Sequence, residues 1–189
     1  SNNRFALAAR MNRLISGGPF PFWGCSKKDE LTTLSVKKTR EHGKGDVPEF
    51  RATEIAALAA KKARPQSVWK IAYAGAIGGQ AMTGIPAFER LREKFPALRV
   101  WPFEIPFAKV DEATLEGVRI VVAEVLPSLN ATKQEVTEIR DEAQVRSICE
   151  ALAERDASGK LGPLFAGEAK LKDAETARAA SEEGWILGI

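Results

Sequence analysis

The stretch VRIVVAEVL at 118–126 is apolar except for Arg119 and Glu124, and its β-branched residues favour a buried strand. An ionised carboxylate in such a strand is costly unless it is paired or holds a metal ion. Glu124 is therefore the sharpest chemical feature of the chain, and Asp141 follows seventeen residues later, where DEAQ (141–144) opens a helix. One carboxylate does not define a reaction, and the sequence contains no motif with a fixed mechanism.

The length and composition bound the class of protein. A chain of 189 residues suits one domain with a core that needs no disulfides. We expect a single α/β domain over 1–189 with a small mixed sheet flanked by helices. Cys25 and Cys149 show neither a disulfide framework nor zinc spacing, and no signal peptide is evident, so we expect reduced thiols and a cytoplasmic protein. No apolar run reaches the roughly 20 residues that cross a bilayer, so we expect no membrane association.

Periodicity and capping patterns predict the other elements. A helix runs to about residue 15 and is expected to bury one face: Leu7, Met11, Leu14 and Ile15. Another begins at Pro86 and is expected to bury Phe88, Leu91 and Phe95. A strand over 98–104 is broken by Pro102, and Thr132, Asp141 and Asp173 fit the caps of later helices. The end of the sequence, GWILGI (184–189), is apolar enough to require burial.

A polar segment at 26–48 separates two apolar regions. It mixes charges of both signs and contains no aromatic residue, so we expect a mobile, solvated loop. A basic patch without aromatics makes only a weak case for binding nucleic acid. His42, the only histidine, lies in this loop and is expected to be solvated, which gives little support to a catalytic triad or a histidine-metal site.

The segment 65–92 (PQSVWKIAYAGAIGGQAMTGIPAFERLR) is rich in glycine after a short apolar run. Glycine allows the backbone to approach another group closely, which serves either a ligand loop or tight helix packing. Neither G-x-G-x-x-G nor the Walker spacing is present, and close packing is the favoured interpretation. If the segment is instead a ligand loop, we expect a cleft that is lined by Trp69, Gly78, Gly79 and Gln80.

Six blocks carry a family resemblance, in order along most of the chain: GGPFPFWGC (17–25), EFRATE (49–54), PQSVWKIAYAGAIGGQAMTGIP (65–86), VWPFE (100–104), AEVLPSL (123–129) and EEGWILG (182–188). In these blocks the chain resembles an uncharacterised bacterial family. That family is similar to the ribonuclease H-like superfamily, and its members are often labelled as cobalamin or molybdopterin cofactor biosynthesis proteins. The resemblance implies a partial ribonuclease H-like architecture and says little about activity.

The resemblance also implies a metal site and missing strands. Family members begin with strands that carry aspartates. We therefore expect this chain to be the carboxyl-terminal two-thirds of a longer protein. Without those strands the sheet would have an exposed edge, which favours homo-oligomers. Superfamily catalysis uses carboxylates to hold two divalent ions in phosphodiester cleavage. By this resemblance Glu124 and Asp141 would be catalytic ligands of Mg²⁺ or Mn²⁺. If the complete protein is such an enzyme, we expect Arg51 to position a phosphate.

Each of these residues has an ordinary structural alternative. Asp141 fits a helix N-cap, and Glu124 fits an ion pair with an arginine or backbone amides. Arg51 and Glu54 either orient a ligand or pair with one another. Two functions therefore stay open: metal-dependent phosphoryl transfer or nucleic-acid hydrolysis by the complete protein, and a noncatalytic scaffold that binds a small metabolite or a partner protein through PFPFWGC and the glycine-rich segment.

Overall fold

A computed structural model of the chain describes residues 3–60, 64–129, 138–167 and 171–189. These residues fall in two compact units. Unit 1 comprises Ser1–Phe50 and Gln66–Lys94, and unit 2 comprises Arg51–Pro65 and Phe95–Ile189. The expectation of one domain over 1–189 stays a prediction, and each unit is described by itself.

Unit 1 contains helices α1 (Arg4–Ile15) and α3 (Gly78–Lys94) around a small apolar core. The predicted buried face of α1 is wrong except at Met11, which is partly buried against the core of unit 1. Leu7, Leu14 and Ile15 are exposed, and the buried residues are Ala8, Ala9 and Asn12. The reason is the side chain of Asn12, which donates to the carbonyls of Phe22 and Thr33 at 2.8 Å each and accepts from the Phe22 N–H at 2.7 Å. Three hydrogen bonds to loop backbone turn the small residues of α1 inward.

Helix α3 begins eight residues earlier than predicted, at Gly78 rather than Pro86. The Gly78 N–H donates to the Lys70 carbonyl at 2.9 Å and starts the helix against the preceding loop. Pro86 lies inside the helix, where it removes one backbone hydrogen bond. The predicted core face is also wrong, because Leu91 and Phe95 are exposed and Gly78 is the buried residue of α3.

The polar segment at 26–48 has local structure. It includes a 3₁₀ turn at Lys27–Asp29 and ion pairs that join Lys38 to Glu49 and Arg40 to Asp46. The prediction that His42 is solvated is wrong. Its Nδ1 lies 2.7 Å from the Val47 carbonyl oxygen. Its ring packs near Phe20 and Trp69, with centroid distances of 4.6 and 6.3 Å. The aromatic residues that pack on His42 come from outside the segment.

Unit 2 contains helix α2 (Ala52–Ala59) and two strands, β1 (Leu98–Val100) and β2 (Ile120–Val122). The strands pair in parallel, with Leu98 opposite Ile120 and Val100 opposite Val122. The chain is thus of the mixed α/β class, although the sheet of the described residues is a parallel pair rather than the expected mixed sheet. Both strands are shorter than predicted, and β2 is only partly buried. Pro102 follows β1 in a turn, in agreement with its predicted strand-breaking role.

Helices α4 (Arg140–Ala157) and α5 (Asp173–Arg178) complete unit 2, and α5 continues into a π-helical turn at Ala179–Glu183. Asp173 is the first helical residue of α5 rather than its cap, which is Lys172. The helix predicted from Thr132 lies outside the described residues. The apolar end is buried as predicted, since Trp185, Ile186, Leu187 and Ile189 belong to the main core with Trp101 and Phe165.

Two expectations about the whole chain are addressed by the described residues. Cys25 and Cys149 are both free thiols, as predicted, with Cys25 buried and Cys149 exposed. Within the described ranges, no helix combines the length and apolar character that crossing a membrane requires.

Candidate functional site

The EFRATE motif places Arg51 directly before helix α2. Glu54 folds back over the first turn of this helix, and its Oε2 accepts from the Arg51 backbone N–H at 2.7 Å. The Arg51 side chain then returns to the same carboxylate, with Nε and Nη2 donating to Glu54 Oε1 at 3.1 and 2.8 Å. Glu54 is only 5% exposed, so this guanidinium compensates a buried charge.

Glu124 lies two residues after β2 and meets the same guanidinium. Nη1 of Arg51 donates to Glu124 Oε2 at 2.7 Å, and Nη2 donates to Oε1 at 2.8 Å. The Glu124 side chain is 46% exposed, so the expectation of a carboxylate buried within a strand is wrong. β2 ends before it reaches this residue. The geometry is the arginine pair that the sequence left open as an alternative, and its bidentate form is the stronger kind of ion pair.

A third glutamate, which the sequence interpretation missed, completes the group. Nη1 of Arg51 also donates to the Glu183 carbonyl at 3.0 Å, and Glu183 Oε2 accepts from the Ala52 N–H at 3.0 Å. Glu183 Oε1 lies 2.8 Å from Nε of Arg178. We call Arg51, Glu54, Glu124, Arg178 and Glu183 the Arg51 cluster. The acidic start of EEGWILG was the available signal for Glu183, but it has no spacing that links it to EFRATE.

The cluster leaves no N–H of the Arg51 guanidinium without an acceptor. An arginine side chain has five such N–H groups, and here two are received by Glu54, two by Glu124 and one by the Glu183 carbonyl. Burial by itself would lower the pKa of Arg51, but the hydrogen bonds and charges of Glu124 and Glu54 outweigh it and hold the pKa above its usual value. Arg51 is thus a permanent cation committed to this cluster.

Backbone contacts next to the cluster hold the apolar end of the chain. Ile186 donates its N–H to the Thr53 hydroxyl oxygen at 3.1 Å, and Leu187 donates to the Glu124 carbonyl at 2.9 Å. Ile186 forms a parallel bridge with Glu124, so the segment 184–189 runs beside the residues that follow β2. The Arg51 cluster therefore joins three distant parts of the sequence: the start of α2, the end of β2 and the segment that follows α5.

The described residues do not fit the metal centre that the resemblance implies. Both oxygens of Glu124 accept hydrogen bonds from Arg51, so a guanidinium lies where a metal ion would be coordinated. Asp141 lies exposed in the first turn of α4, whose N-cap is Ile139, and its predicted capping role is wrong. Within the ranges that the structure describes, no group of three or more His, Cys, Asp or Glu side chains is arranged to hold a metal.

In the segment of the predicted glycine-rich cleft, Gly78 is a close packing contact in unit 1. A Cβ atom on Gly78 would clash with the Val68 carbonyl oxygen, whereas one on Gly79 would lie 3.4 Å from that of Ile71, an ordinary contact. Trp69 donates from Nε1 to the Pro48 carbonyl at 2.8 Å. Gln80 is exposed on α3. Glycine at 78 is thus explained by the close approach of α3 to the loop, and a ligand role for these residues stays a prediction.

A cavity of about 300 Å³ lies in unit 2, at a place that the sequence interpretation did not single out. One wall is a face of α4, where Ile148, Leu152 and Arg155 recur at helical spacing. In the sequence, Ile148 and Leu152 are apolar residues at helical spacing, which indicates a core-facing side of a helix rather than a cavity wall. The lining residues are Val125, Leu129, Ile148, Leu152, Arg155, Leu164, Leu187 and Gly188. Six of them are apolar, so the cavity presents an apolar wall with one cationic side chain.

Comparison with known proteins places no constraint on this geometry. No protein-family model matches the chain, and no curated protein or solved structure is significantly similar to it. The resemblance to a ribonuclease H-like family accordingly stays a prediction, and the function has to be argued from the site itself.

Proposed function

We propose that this chain is a noncatalytic scaffold of ribonuclease H-like architecture that binds a small metabolite in the cavity of unit 2. The observation that carries the proposal is the cavity, with its six apolar side chains and one arginine. The parallel pair of β1 and β2, with α4 later in the chain, supports the architectural part.

The cavity shares two features with ligand sites, a set of apolar side chains and one charged group. Small-molecule sites are concave and mostly apolar, with a few polar groups that orient the ligand, and they begin at about 300 Å³. The wall is also built from separated parts of unit 2: the residues after β2, helix α4, the 3₁₀ turn at Gly162–Ala166 and the buried end of the chain. Such a wall forms only when the unit is folded.

The Arg51 cluster supports the noncatalytic part of the proposal. A catalytic carboxylate needs an oxygen that can take a proton or a metal ion, whereas both oxygens of Glu124 are hydrogen-bonded to Arg51. A phosphate-positioning arginine needs N–H groups that face the substrate, whereas those of Arg51 are received by Glu54, Glu124 and Glu183. Both groups serve the fold.

Methyl NMR with a neutral apolar probe tests binding in the cavity. We expect 1-octanol to shift the methyl resonances of Leu152, Leu164 and Leu187, which line the cavity. The methyl groups of Leu14, which is 76% exposed in unit 1, serve as the control and should not move. Shifts of equal size at Leu14, or none at the three lining leucines, would show that the proposal is wrong.

Metal-dependent phosphoryl transfer or nucleic-acid phosphodiester hydrolysis is the second candidate function. One observation favours it: the side chain of Glu124, two residues after β2, is nearly half exposed and is therefore accessible to a substrate. Calorimetry of Mn²⁺ and Mg²⁺ binding, with hydrolysis of bis(p-nitrophenyl) phosphate, compares the wild type with Glu124→Gln. We expect no difference in metal binding and no hydrolysis. Metal binding and hydrolysis that are both lost in Glu124→Gln would overturn the noncatalytic proposal.

A further inference from the structure

The cavity wall carries enough chemistry to define a class of ligand. We infer that it takes an aliphatic monocarboxylate of about eight carbons, with the chain against the leucines and the carboxylate at Arg155. This inference rests on the proposed function, because it assumes that the cavity binds a small molecule.

The size of the cavity limits the length of the ligand. A volume of about 300 Å³ is at the small end of the range of small-molecule sites, which favours a short aliphatic chain over a long one. Octanoate, with eight carbons and two oxygens, represents such a ligand. The apolar part of the wall gains from contact with methylene groups, since burial of each is worth about 0.8 kcal/mol.

The charge of the wall selects the head group. Arg155 is the one ionisable residue among the described lining residues, and these include no carboxylate that would repel an anion. Its Nη1 donates to the Ala151 carbonyl at 3.3 Å on the same helix. The guanidinium keeps its positive charge while it holds its protein partners, so Arg155 attracts a ligand carboxylate through that charge. A cation on the rim of an apolar wall favours an amphipathic anion over a neutral chain.

Calorimetry with a matched pair of probes tests the inference. Octanoate and 1-octanol have the same chain and differ in charge, and both are titrated into the wild-type chain at pH 7.5. We expect octanoate to bind at least about tenfold more tightly than 1-octanol, as a hydrogen bond to a charged group implies. Added salt should weaken octanoate binding and leave 1-octanol binding unchanged, because it screens only the charged interaction.

Three variants test which residues determine the binding of the two probes. Arg155→Met should remove the preference for octanoate, and Arg155→Lys should restore part of it by returning the charge. Leu152→Phe should weaken both probes, because the larger ring occupies the cavity. The salt titration on the wild type keeps the inference testable if Arg155→Met does not fold.

The outcomes separate the inference from the proposed function. Equal affinity of octanoate and 1-octanol for the wild type would overturn the carboxylate inference and leave the metabolite-binding proposal standing. Failure of both probes to bind would overturn both. A preference for octanoate that persists in Arg155→Met, with the salt dependence intact, would show that another cation holds the carboxylate and that the assignment to Arg155 is wrong.

Discussion

The Arg51 cluster and the cavity are two regions of unit 2 that each contain an arginine, and they are built in opposite ways. In the cluster, charged groups face one another and the hydrogen bonds of the Arg51 guanidinium are received by protein oxygens. In the cavity, Arg155 lies beside six apolar side chains and an open volume of about 300 Å³. The cluster is closed to a ligand, whereas the cavity has room for one.

The comparison shows that a conspicuous set of charged residues is a poor guide to a binding site. Glu124 and EFRATE attract attention in the sequence because charge in an apolar setting is costly. In the structure these charged side chains are paired with one another, so the same residues stabilise the fold. The cavity is built from ordinary leucines, isoleucine and valine, which carry no signal of this kind. Substitutions in the two regions test whether the cluster is purely structural and whether the cavity can accept added volume.

The largest expected effect is at the centre of the cluster. Arg51→Met should lower the free energy of unfolding by about 3–5 kcal/mol, because it leaves the buried Glu54 carboxylate without its cation. Urea denaturation measures the change. Lys27→Met is the control, since Lys27 pairs with Glu30 at 88% side-chain exposure and should give no resolvable loss. Equal effects of the two substitutions would contradict the structural role of the cluster.

The next effect concerns the hydrogen bond beside the cluster. Thr53 is completely buried, and its hydroxyl oxygen accepts from the Ile186 N–H. Thr53→Val keeps the shape but leaves that buried N–H without an acceptor, at a cost of about 1–3 kcal/mol of unfolding free energy. Thr53→Ser retains the hydroxyl and should recover most of the hydrogen bond, while losing one methyl group. If Thr53→Ser is less stable than Thr53→Val, the hydrogen bond is not the reason for threonine at this position.

Enlarging a side chain distinguishes an open space from a packed core. Leu152→Phe adds volume at the cavity and should raise the unfolding free energy by about 0.5–2 kcal/mol, as cavity filling commonly does. Leu98→Phe adds the same volume at the buried first residue of β1 and should lower the unfolding free energy by about 1–3 kcal/mol through overpacking. Thermal unfolding of both variants checks the signs. A loss of stability in Leu152→Phe as large as in Leu98→Phe would mean that the cavity has no spare room.

Chemical labelling of the cysteines is the smallest perturbation, and it reports on α4, the helix that forms one wall of the cavity. Cys149 is exposed on α4, next to the lining residue Ile148, whereas Cys25 is buried. Burial, followed by the charges of Glu30 and Asp29, raises the pKa of the Cys25 thiol and so lowers its thiolate fraction. A maleimide at pH 7 should therefore modify Cys149 first, as peptide mass spectrometry after partial reaction would show. Faster modification of Cys25 would contradict its buried position.

Some features followed from local sequence alone. The apolar composition of 184–189 required burial, and Trp185 and Ile186 are in the core. The glycine at 78 indicated close packing, and the structure leaves no room there for a side chain. Local patterns failed where a distant partner decided the outcome. Leu14 fits an amphipathic face of α1, yet the hydrogen bonds of Asn12 to the backbone of Phe22 and Thr33 turn another face inward.

The sequence by itself determined the mixed α/β class and the burial of the apolar end, because these depend on composition and short-range periodicity. Only the tertiary structure decided the state of Glu124 and the position of the cavity. The partners of Arg51 lie 3, 73 and 132 positions away in Glu54, Glu124 and Glu183, and the cavity wall draws on residues from Val125 to Gly188. The free energy of an ion pair or a cavity depends on distances between atoms, and folding sets those distances for residues far apart in the chain.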